Sequence, residues 1–329
     1  MNWFSRQSEN NTNTTASDQL AALGSNGVSI SLAELLQYQR KVNLINLAAT
    51  KNQKSKMSGN YLSRSKGRGM EFDEVRHYQT GDDIRTIDWR VTARTGKTHT
   101  KLFREEIERP VLIATDLSSS MYFGSQLLFK SVQAAHIAAL VAWHAKERGD
   151  RLGGLVFNEQ QHLECKPRSR KQGVLHYLHQ LISLDNAEKT AHDSRLAQQA
   201  FTENCLRMRQ LAKPGSLVYL ITDGYNISND SIRHLAHISR HCELVICQIF
   251  DPLERNLPNV KTSTPVTLSD GEQRLSLTLG DKRIAKQYQQ QAMLFQQQQN
   301  NLFSKAHARV FMLDAGVPLE QQLLAGGVQ

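Results

Sequence analysis

The sequence predicts an α/β protein built on a doubly wound, mainly parallel sheet, preceded by a small β-rich module and an N-terminal helix. Two observations predict the sheet. From residue 110 onward, apolar runs alternate with segments of helical periodicity, which is typical of parallel strands covered by helices on both faces. Two of these runs, 110–115 and 216–222, are followed by the acids Asp116 and Asp223. In open α/β sheets, ligands bind outside the carboxyl ends of the strands, so polar residues at these positions indicate a ligand site.

The periodicity also assigns the individual elements of this region. Strands are predicted at 110–115, 151–157, 161–166, 216–222, 243–250 and 308–313. Helices are predicted at about 126–148, 171–183, 195–211, 230–239 and 282–305. The turn Asn158-Glu159-Gln160 joins the second and third strands, so 161–166 should be an antiparallel edge strand. A further hairpin is predicted at 264–279, turning at 269–272.

A run rich in Gln lies in the last of these helices, near 287–301. Such a run can belong to a low-complexity tract. Large apolar side chains recur within and around it, which favours an ordinary packed helix. They are Tyr288, Met293, Leu294, Phe295 and Leu302.

Composition and patterning divide the chain into three parts. Residues 1–27 are rich in Asn, Thr, Ser and Gln, which predicts disorder. Residues 28–109 should hold a helix from an N-cap at Ser31 to about Leu47, a polar loop at 50–69 and short strands at 70–109. The apolar face of that helix is Leu32, Leu35, Leu36 and Val42. Residues 110–329 form the main domain.

The chain of 329 residues is basic, with 40 Lys and Arg against 31 Asp and Glu and a formal net charge of +9. Part of the excess lies in residues 51–109, which hold 14 basic and 9 acidic residues. A basic surface can bind nucleic acid or an acidic partner. Here acids are interleaved with the bases, which favours a solvated surface paired within itself. We therefore expect no nucleic-acid partner.

The cysteines indicate a reducing compartment. Cys165, Cys205, Cys242 and Cys247 form neither a C-x-x-C motif nor a zinc-binding spacing, so reduced and buried thiols are expected. The N-terminus has no signal-peptide pattern, and the most apolar helical stretch, 134–143, is too short to span a bilayer. The sequence therefore predicts a cytoplasmic protein without a transmembrane segment that could still dock on a membrane partner.

A candidate metal site lies at the ends of the two acid-tipped strands. The first strand runs into Asp116-Leu-Ser118-Ser-Ser120, a D-x-S-x-S spacing in which alternate residues can turn toward one point. Asp223 follows the other strand. Carboxylate and hydroxyl oxygens are the ligands of a hard cation. We expect Mg²⁺, or Mn²⁺ or Ca²⁺ in its place.

The enzyme alternative is a metal-dependent, phosphatase-like hydrolase with Asp116 as the phosphoryl acceptor. The haloacid dehalogenase pattern requires a second acid two residues later, where this chain has Ser118. No G-x-S-x-G elbow, phosphate loop or dinucleotide fingerprint occurs. His234, His237 and His241 share a helical spacing that could attract a metal, but no Cys or acid completes the set. A non-enzymatic binding module is therefore favoured, with the hydrolase second and a nucleic-acid-binding protein third.

The acid-Ser-Ser loop, the hairpin after the first helix and the later Thr-Asp-Gly together resemble a von Willebrand factor A domain. In that family the loop is the metal-ion-dependent adhesion site. The resemblance implies metal ligation by Asp116, Ser118, Ser120 and Asp223, and by a hydroxyl from a second loop. Ser194 stands where this hydroxyl is expected and Thr190 is the alternative, while Ser194 could instead be only the N-cap of the helix at 195–211.

A second resemblance covers the chain from about residue 60. It is carried by Gly67-Arg-Gly-Met-Glu-Phe-Asp-Glu-Val-Arg76, Tyr78-Gln-Thr-Gly-Asp-Asp-Ile-Arg85, Ile87-Asp-Trp-Arg90 and Lys101-Leu-Phe-Arg-Glu105. This signature resembles the bacterial domain-of-unknown-function family fifty-eight. The resemblance implies a MoxR-type AAA+ ATPase and other von Willebrand A-domain proteins as partners. We therefore expect a metal-dependent scaffold that assists the assembly or maturation of protein complexes.

The signature region has two interpretations. Arg85, Arg90 and Arg94 can pair with Asp82, Asp83 and Asp88 and hold short strands in register, with Trp89 as an apolar anchor. This structural interpretation is favoured. The alternative is a docking surface, because exposed Arg and Trp are the residue types that dominate protein interfaces.

Overall fold

The computed structural model describes residues 15–45, 70–105, 109–187, 193–258, 260, 264–269 and 274–325. The chain divides into two compact units, one formed by residues 1–47 and 109–329 and the other by residues 48–108. The sequence instead grouped residues 28–109 together. The difference arises because residues 15–45 pack on the main domain.

The bounds of the elements follow the predicted pattern closely. The described strands are Met70–His77 (β1), His99–Glu105 (β2), Pro110–Asp116 (β3), Arg151–Phe157 (β4), His162–Arg168 (β5), Leu217–Thr222 (β6), Glu243–Phe250 (β7), Thr264–Ser269 (β8), Arg274–Leu279 (β9) and Arg309–Asp314 (β10). The described α-helices are Ala16–Leu23 (α1), Leu32–Gln37 (α2), Trp89–Thr95 (α3), Lys130–Glu147 (α4), Arg170–Asp185 (α5), Ser194–Leu211 (α6), Asn229–Ser239 (α7), Pro252–Arg255 (α8), Lys282–Lys305 (α9) and Leu319–Ala325 (α10).

The central sheet of the larger unit has six strands in the order β10-β7-β6-β3-β4-β5. β3 pairs in parallel with both β4 and β6, and β7 pairs in parallel with β6 and β10. β5 is antiparallel to β4. The predicted six strands and the antiparallel edge strand are therefore confirmed, and the protein is a mixed α/β structure with a mostly parallel sheet.

Buried side chains cover both faces of this sheet. Val111 and Ile113 of β3 belong to a cluster that contains α4 and α5. Leu112 and Ala114 belong to a second cluster that contains residues of α6, α7 and α9. Successive strand residues point to opposite faces, so the continuous apolar run of β3 fits a strand buried on both sides.

The N-terminal segment packs on the larger unit, which contradicts the predicted disorder of residues 1–27 over its described part. Thr15 caps α1 in a capping box with Asp18, and Leu23 is buried in the core. Ser31 caps α2, as predicted, and Leu35 is fully buried. The helix expected to reach Leu47 ends at Gln37 and continues as 3-10 turns at Tyr38–Arg40 and Val42–Leu44.

Tertiary hydrogen bonds explain this irregular end. The indole Nε1 of Trp143 in α4 donates to the carbonyl of Leu35 at 3.2 Å, and a ring nitrogen of His144 lies 3.0 Å from the carbonyl of Val42. Ile30 N donates to the buried carboxylate of Asp185 at 3.0 Å. The contacts of Leu35 and Val42 satisfy carbonyl groups that a longer helix would have paired internally, whereas the bond from Ile30 holds the chain just before the N-cap.

Other parts of the larger unit match the expected pattern in outline. β8 and β9 form the predicted antiparallel hairpin, whose turn at 270–272 lies outside the described residues. The loop predicted at 50–69, which belongs to the smaller unit, also lies outside them. In α9, Phe303 is buried whereas Met293 and Leu294 are more than half exposed.

All four cysteines are free and buried, as predicted. Within the described ranges, no helix is long and apolar enough to cross a bilayer.

The smaller unit is a two-stranded antiparallel sheet of β1 and β2, with α3 between them in the chain. Trp89, predicted as an apolar anchor, is 67% exposed, and Ile84 is 66% exposed. Trp89 begins a short helix that is capped by Asp88. The anchor interpretation of Trp89 is therefore wrong.

The acids of the smaller unit bind different partners from those expected. Asp82 forms an ion pair with Arg76 at 2.7 Å. Asp83 and Asp88 accept hydrogen bonds from backbone N–H groups as caps. Among the residues that the structure describes, the guanidinium groups of Arg85, Arg90 and Arg94 make no ion pair. The predicted Arg–Asp pairing is therefore not observed there.

We expect the substitutions Trp89→Ala and Arg90→Ala to change the free energy of unfolding by less than about 0.5 kcal/mol, as is usual for exposed side chains without strong contacts. Asp88→Ala is the matched control and should destabilise the unit by about 1 kcal/mol, because it removes the N-cap of α3. Urea denaturation of the full chain measures all three. A loss of more than 1.5 kcal/mol in Trp89→Ala would restore the anchor interpretation.

Candidate functional site

The end of β3 is tied to the end of the neighbouring strand β6. The carboxylate of Asp116, the last residue of β3, is fully buried. Its Oδ1 accepts a hydrogen bond from the N–H of Ser118 at 2.9 Å, and its Oδ2 accepts one from the hydroxyl of Thr222 at 2.8 Å. Thr222 is the last residue of β6. The loops that follow β3 and β6 therefore begin at two neighbouring strand ends that are hydrogen-bonded to each other.

The serines of the first loop turn alternately, as their spacing predicts. The hydroxyls of Ser118 and Ser120 lie 3.3 Å apart, and the side-chain amide of Asn226 donates to Ser118 Oγ at 3.1 Å. Ser119 lies between them in the chain and points elsewhere, donating both its N–H and its hydroxyl to Glu159 at 2.6 Å. Glu159 belongs to the hairpin between β4 and β5. Ser118 and Ser120 are thus presented side by side.

Asp223 follows β6 directly, and its carboxylate binds a lysine. Its Oδ2 lies 2.9 Å from the Nζ of Lys130, the first residue of α4. Its Oδ1 accepts a hydrogen bond from the N–H of Tyr225 at 3.0 Å. Lys130 also forms an ion pair with Glu254 at 2.5 Å. Lys130 and Asp223 are both almost fully buried.

Burial and charge act strongly on these groups. Burial and then the negative charge of Asp223 raise the pKa of Asp116 to about 7, although hydrogen bonds from Thr222 and Ser118 oppose the shift. Burial works against the charge of Lys130, but the carboxylates of Asp223 and Glu254 outweigh it and raise the pKa of Lys130. Lys130 therefore stays protonated, whereas the charged form of Asp116 is destabilised when no metal is bound.

A cleft of about 660 Å³ opens beside these groups. Ser120, Lys130, Asn226 and Glu254 contribute polar side chains to its lining. Its aromatic lining consists of Tyr122, Phe123 and Tyr225. The site therefore borders a space large enough to admit a side chain from another molecule.

Ser194 lines the same cleft as Ser120 and is the first residue of α6. The N-cap of α6 is Asp193, whose side chain accepts from the N–H groups of Arg195 and Leu196. The interpretation of Ser194 as an N-cap is therefore wrong. Thr190, the alternative hydroxyl, lies outside the described residues.

Four polar residues of the site were not among the sequence-based candidates. Thr222 belongs to the Thr-Asp-Gly motif, but no role was assigned to its hydroxyl, and Asn226 stands outside the motif. Lys130 gave a weak signal, as a single cation at the start of a largely apolar segment. Glu254 lies in a four-residue helix that follows β7. The feature that could have identified it is its position after β7, which is a parallel strand like β3 and β6.

A cation bound only by His, Cys, Asp and Glu is not supported. Within the described part of the chain, no group of three or more such side chains is close enough to hold a metal ion. This includes His234, His237 and His241, of which the last two have ring centroids 6.0 Å apart. A cation at the β3 and β6 ends would therefore require the serine hydroxyls.

These hydroxyls fit a small hard cation. Neighbouring ligands in an octahedral Mg²⁺ shell at about 2.0–2.1 Å lie about 2.9 Å from one another, which is close to the 3.3 Å between Ser118 Oγ and Ser120 Oγ. Asp116 and Asp223 add negative charge. Lys130 opposes a cation, because its ammonium is bound to Asp223. Ser118, Ser120 and Asp223 are the residues that would hold the ion, with Asp116 beside them.

The fold and site define a mainly parallel α/β protein with an acid and hydroxyl cluster at the carboxyl edge of its sheet. The family model described as "Protein of unknown function DUF58" matches residues 74–299. The chain belongs to this family. "Uncharacterized protein Mb1516" of Mycobacterium bovis and "Uncharacterized protein Rv1480" of Mycobacterium tuberculosis are each 28% identical to it over 217 residues. The matched region covers 66% of this chain and 65% of each relative.

Solved structures with lower similarity include the conserved hypothetical protein BatB from Bacteroides thetaiotaomicron, with 15% identity and a TM-score of 0.40, covering 67% of this chain and 100% of that one. An aerotolerance-related membrane protein from Bacteroides fragilis gives 13% identity and a TM-score of 0.41, with coverages of 66% and 97%. A von Willebrand factor type A protein from Catenulispora acidiphila gives 17% identity and a TM-score of 0.29, with coverages of 46% and 35%.

Proposed function

We propose that this protein is a metal-dependent protein-binding or scaffold module whose larger unit is a doubly wound, von Willebrand factor A-like domain. One observation carries the proposal. The carboxyl ends of the adjacent parallel strands β3 and β6 hold Asp116 and Asp223 beside two serine hydroxyls and an open cleft, and the hydroxyl of Thr222 at the end of β6 donates to Asp116 at 2.8 Å. Ligands of open α/β sheets bind at such an edge.

In this proposal Mg²⁺, or Mn²⁺ or Ca²⁺, binds to Ser118, Ser120 and Asp223. Asp116 would stabilise it by its negative charge, and Ser194, which lines the same cleft, would add a hydroxyl. Asp223 is the one carboxylate among these direct ligands, so the coordination shell itself keeps one positive charge. That charge would supply electrostatic attraction for a carboxylate from another protein. We expect weak binding in the isolated chain, because Mg²⁺ loses its hydration water reluctantly.

The proposed partner is a MoxR-type AAA+ ATPase, acting with other von Willebrand A-domain proteins in assembly or maturation of complexes. The support for this partner is the resemblance of the residue 67–105 signature to proteins that accompany such ATPases. The chemistry of the site adds that the contact should depend on an Asp or Glu of the partner. A cytoplasmic location, with possible docking to a membrane partner, belongs to the same proposal.

The hydrolase alternative ranks lower because of the position of Asp116. A phosphoryl acceptor must present a carboxylate oxygen to its substrate. The carboxylate of Asp116 is fully buried, and both oxygens already accept hydrogen bonds from Ser118 and Thr222.

Binding of the purified chain to a purified MoxR-type ATPase tests the proposal, with either Mg²⁺ or excess EDTA present. We expect EDTA, Asp223→Asn and Ser120→Ala each to weaken the complex by roughly tenfold or more, equivalent to about 1.4 kcal/mol. The matched control is Asp230→Asn, since Asp230 is an exposed acid of α7, and it should bind as the wild type does.

Full binding in EDTA, together with full binding by both site variants, would show that the metal site does not mediate this contact. A phosphatase assay on generic phosphoesters separates the alternatives. Turnover that requires Mg²⁺ and is lost in Asp116→Asn would favour the hydrolase.

A further inference from the structure

Lys130 occupies an unusual position in this molecule. Its side chain is 1% exposed, and its Nζ lies 2.9 Å from Asp223 Oδ2 and 2.5 Å from Glu254 Oε1. The ammonium also lies 4.9 Å from the centroid of the Tyr225 ring, a distance at which the ring stabilises a cation. The Lys130 ammonium therefore binds the same carboxylate, Asp223, that the proposed divalent cation would use as a ligand.

Such a lysine is not explained by packing alone. A buried ammonium is strongly unfavourable unless carboxylates surround it. Lys130 is the first residue of a helix that is otherwise buried through most of its length, where an apolar residue would fill the same space. One carboxylate partner, Asp223, follows β6, and the other, Glu254, lies in α8. The start of α4, the end of β6 and α8 thus meet around one ammonium group.

We propose that Lys130 is a built-in counter-cation that competes with the divalent metal for Asp223, with Glu254 as the acceptor that retains the ammonium when the metal binds. The inference rests on the proposed metal site and adds how that site is regulated. In the metal-free protein, the ammonium neutralises Asp223 and blocks its Oδ2. The other oxygen, Oδ1, already accepts a hydrogen bond from the N–H of Tyr225. A divalent cation bound at either oxygen would lie close to the ammonium and repel it, so metal entry favours withdrawal of the ammonium from Asp223.

The geometry offers the ammonium a short path. Glu254 and Lys130 both line the cleft, and Glu254 already binds the ammonium, so Lys130 can release Asp223 without losing all its partners. The face of Tyr225 remains beside it. Metal binding therefore exchanges one cation for another at Asp223, and a partner carboxylate that binds the metal would shift the exchange toward the metal-bound state.

Calorimetric titration of the full chain with Mg²⁺ alone tests this exchange. Lys130→Met removes the competing charge and retains most of the side-chain volume. It should bind Mg²⁺ roughly tenfold or more tightly than the wild type, comparable to the effect of one nearby charge on a proton affinity. Lys146→Met is the matched control, since Lys146 is a solvent-accessible lysine of the same helix, and its affinity should equal that of the wild type.

Glu254→Gln should have the opposite effect. It removes the acceptor for the withdrawn ammonium, so Mg²⁺ affinity should fall by roughly tenfold. If Glu254 acts through Lys130, this loss should become clearly smaller in the Lys130→Met background, because residues that share a partner give non-additive effects. An equal loss in both backgrounds would show that Glu254 attracts the metal directly, which would overturn its proposed role.

A measurement on the unmodified protein covers the case in which Lys130→Met fails to fold. In a sample with ¹⁵N-labelled lysine, the buried Lys130 ammonium should give an NMR signal, assigned by its absence in Lys130→Arg, that shifts as Mg²⁺ is added. An unshifted signal at saturating Mg²⁺, or equal affinity in wild type and Lys130→Met, would overturn the competition while leaving the metal site intact. Absence of Mg²⁺ binding in every variant would instead refute the metal site and this inference with it.

Discussion

Replacing Asp116 with Asn is expected to stabilise the metal-free protein and to abolish its stabilisation by Mg²⁺. Burial and the charge of Asp223 raise the pKa of Asp116 to about 7 from its ordinary value of 3.8. Each pKa unit corresponds to about 1.4 kcal/mol. Part of the gain is lost with the charge-assisted hydrogen bonds from Ser118 and Thr222. We therefore expect a net gain of about 1–3 kcal/mol in EDTA at pH 8.

The pH dependence identifies the cause of this gain. The folded-state pKa of Asp116 lies above its unfolded value, so the folded protein binds more protons between about pH 4 and pH 7, and the stability of the wild type falls as pH rises through this range. The advantage of Asn should therefore be greatest above pH 7 and should shrink as pH falls toward 4. Thermal denaturation in EDTA at pH 5 and pH 8 measures it.

Asp150→Asn is the matched control for Asp116→Asn. Asp150 is also buried, but it lies before β4 at the opposite edge of the sheet and accepts a hydrogen bond from the N–H of Arg109 at 3.0 Å. Burial also raises the pKa of Asp150, but the N–H of Arg109 and the guanidinium of Arg148, at 3.5 Å, oppose the shift. Its replacement should therefore give a clearly smaller gain in EDTA than Asp116→Asn and should leave the effect of Mg²⁺ intact. If Asp116→Asn destabilises the metal-free protein, or if Mg²⁺ still stabilises it as in the wild type, Asp116 does not have the proposed role.

Gly154→Ala is expected to destabilise the larger unit by about 1–3 kcal/mol, the usual cost of overpacking a core. A Cβ at this position of β4 would lie 2.3 Å from the Cδ2 of Tyr177 in α5. Tyr177 is fully buried, and its hydroxyl lies 2.6 Å from that of Thr115. The ring cannot move without disturbing the residue that precedes Asp116. Urea denaturation measures the loss, and Mg²⁺ titration should show weaker binding.

Gly153→Ala provides the control on the opposite face of the same strand. There the new Cβ would lie 3.2 Å from Pro167 of the edge strand β5, which can adjust, so the loss should be clearly smaller. The double variant Gly154→Ala with Tyr177→Leu should recover part of the stability, because the smaller side chain removes the contact. Equal losses in the two glycine variants would contradict this explanation.

Different kinds of sequence information succeeded and failed. The strand and helix bounds of the larger unit follow from local periodicity, and the antiparallel position of β5 follows from its short turn. The disorder expected for 1–27 followed from composition, which does not register the capping box at Thr15 or the burial of Leu23. The anchor role of Trp89 followed from its residue type, although the residue is mostly exposed.

The alternating α/β architecture and the positions of Asp116, Ser118, Ser120 and Asp223 at strand ends could be predicted, because apolar periodicity and loop spacing are local properties of the chain. The contact between Lys130 and Asp223, which lie 93 residues apart in the chain and 2.9 Å apart in space, could not be predicted in this way. A charged residue at the start of an apolar helix has no local partner that identifies its role. Its partners depend on which strands become neighbours and where their loops meet, and these are set by the packing of the whole sheet.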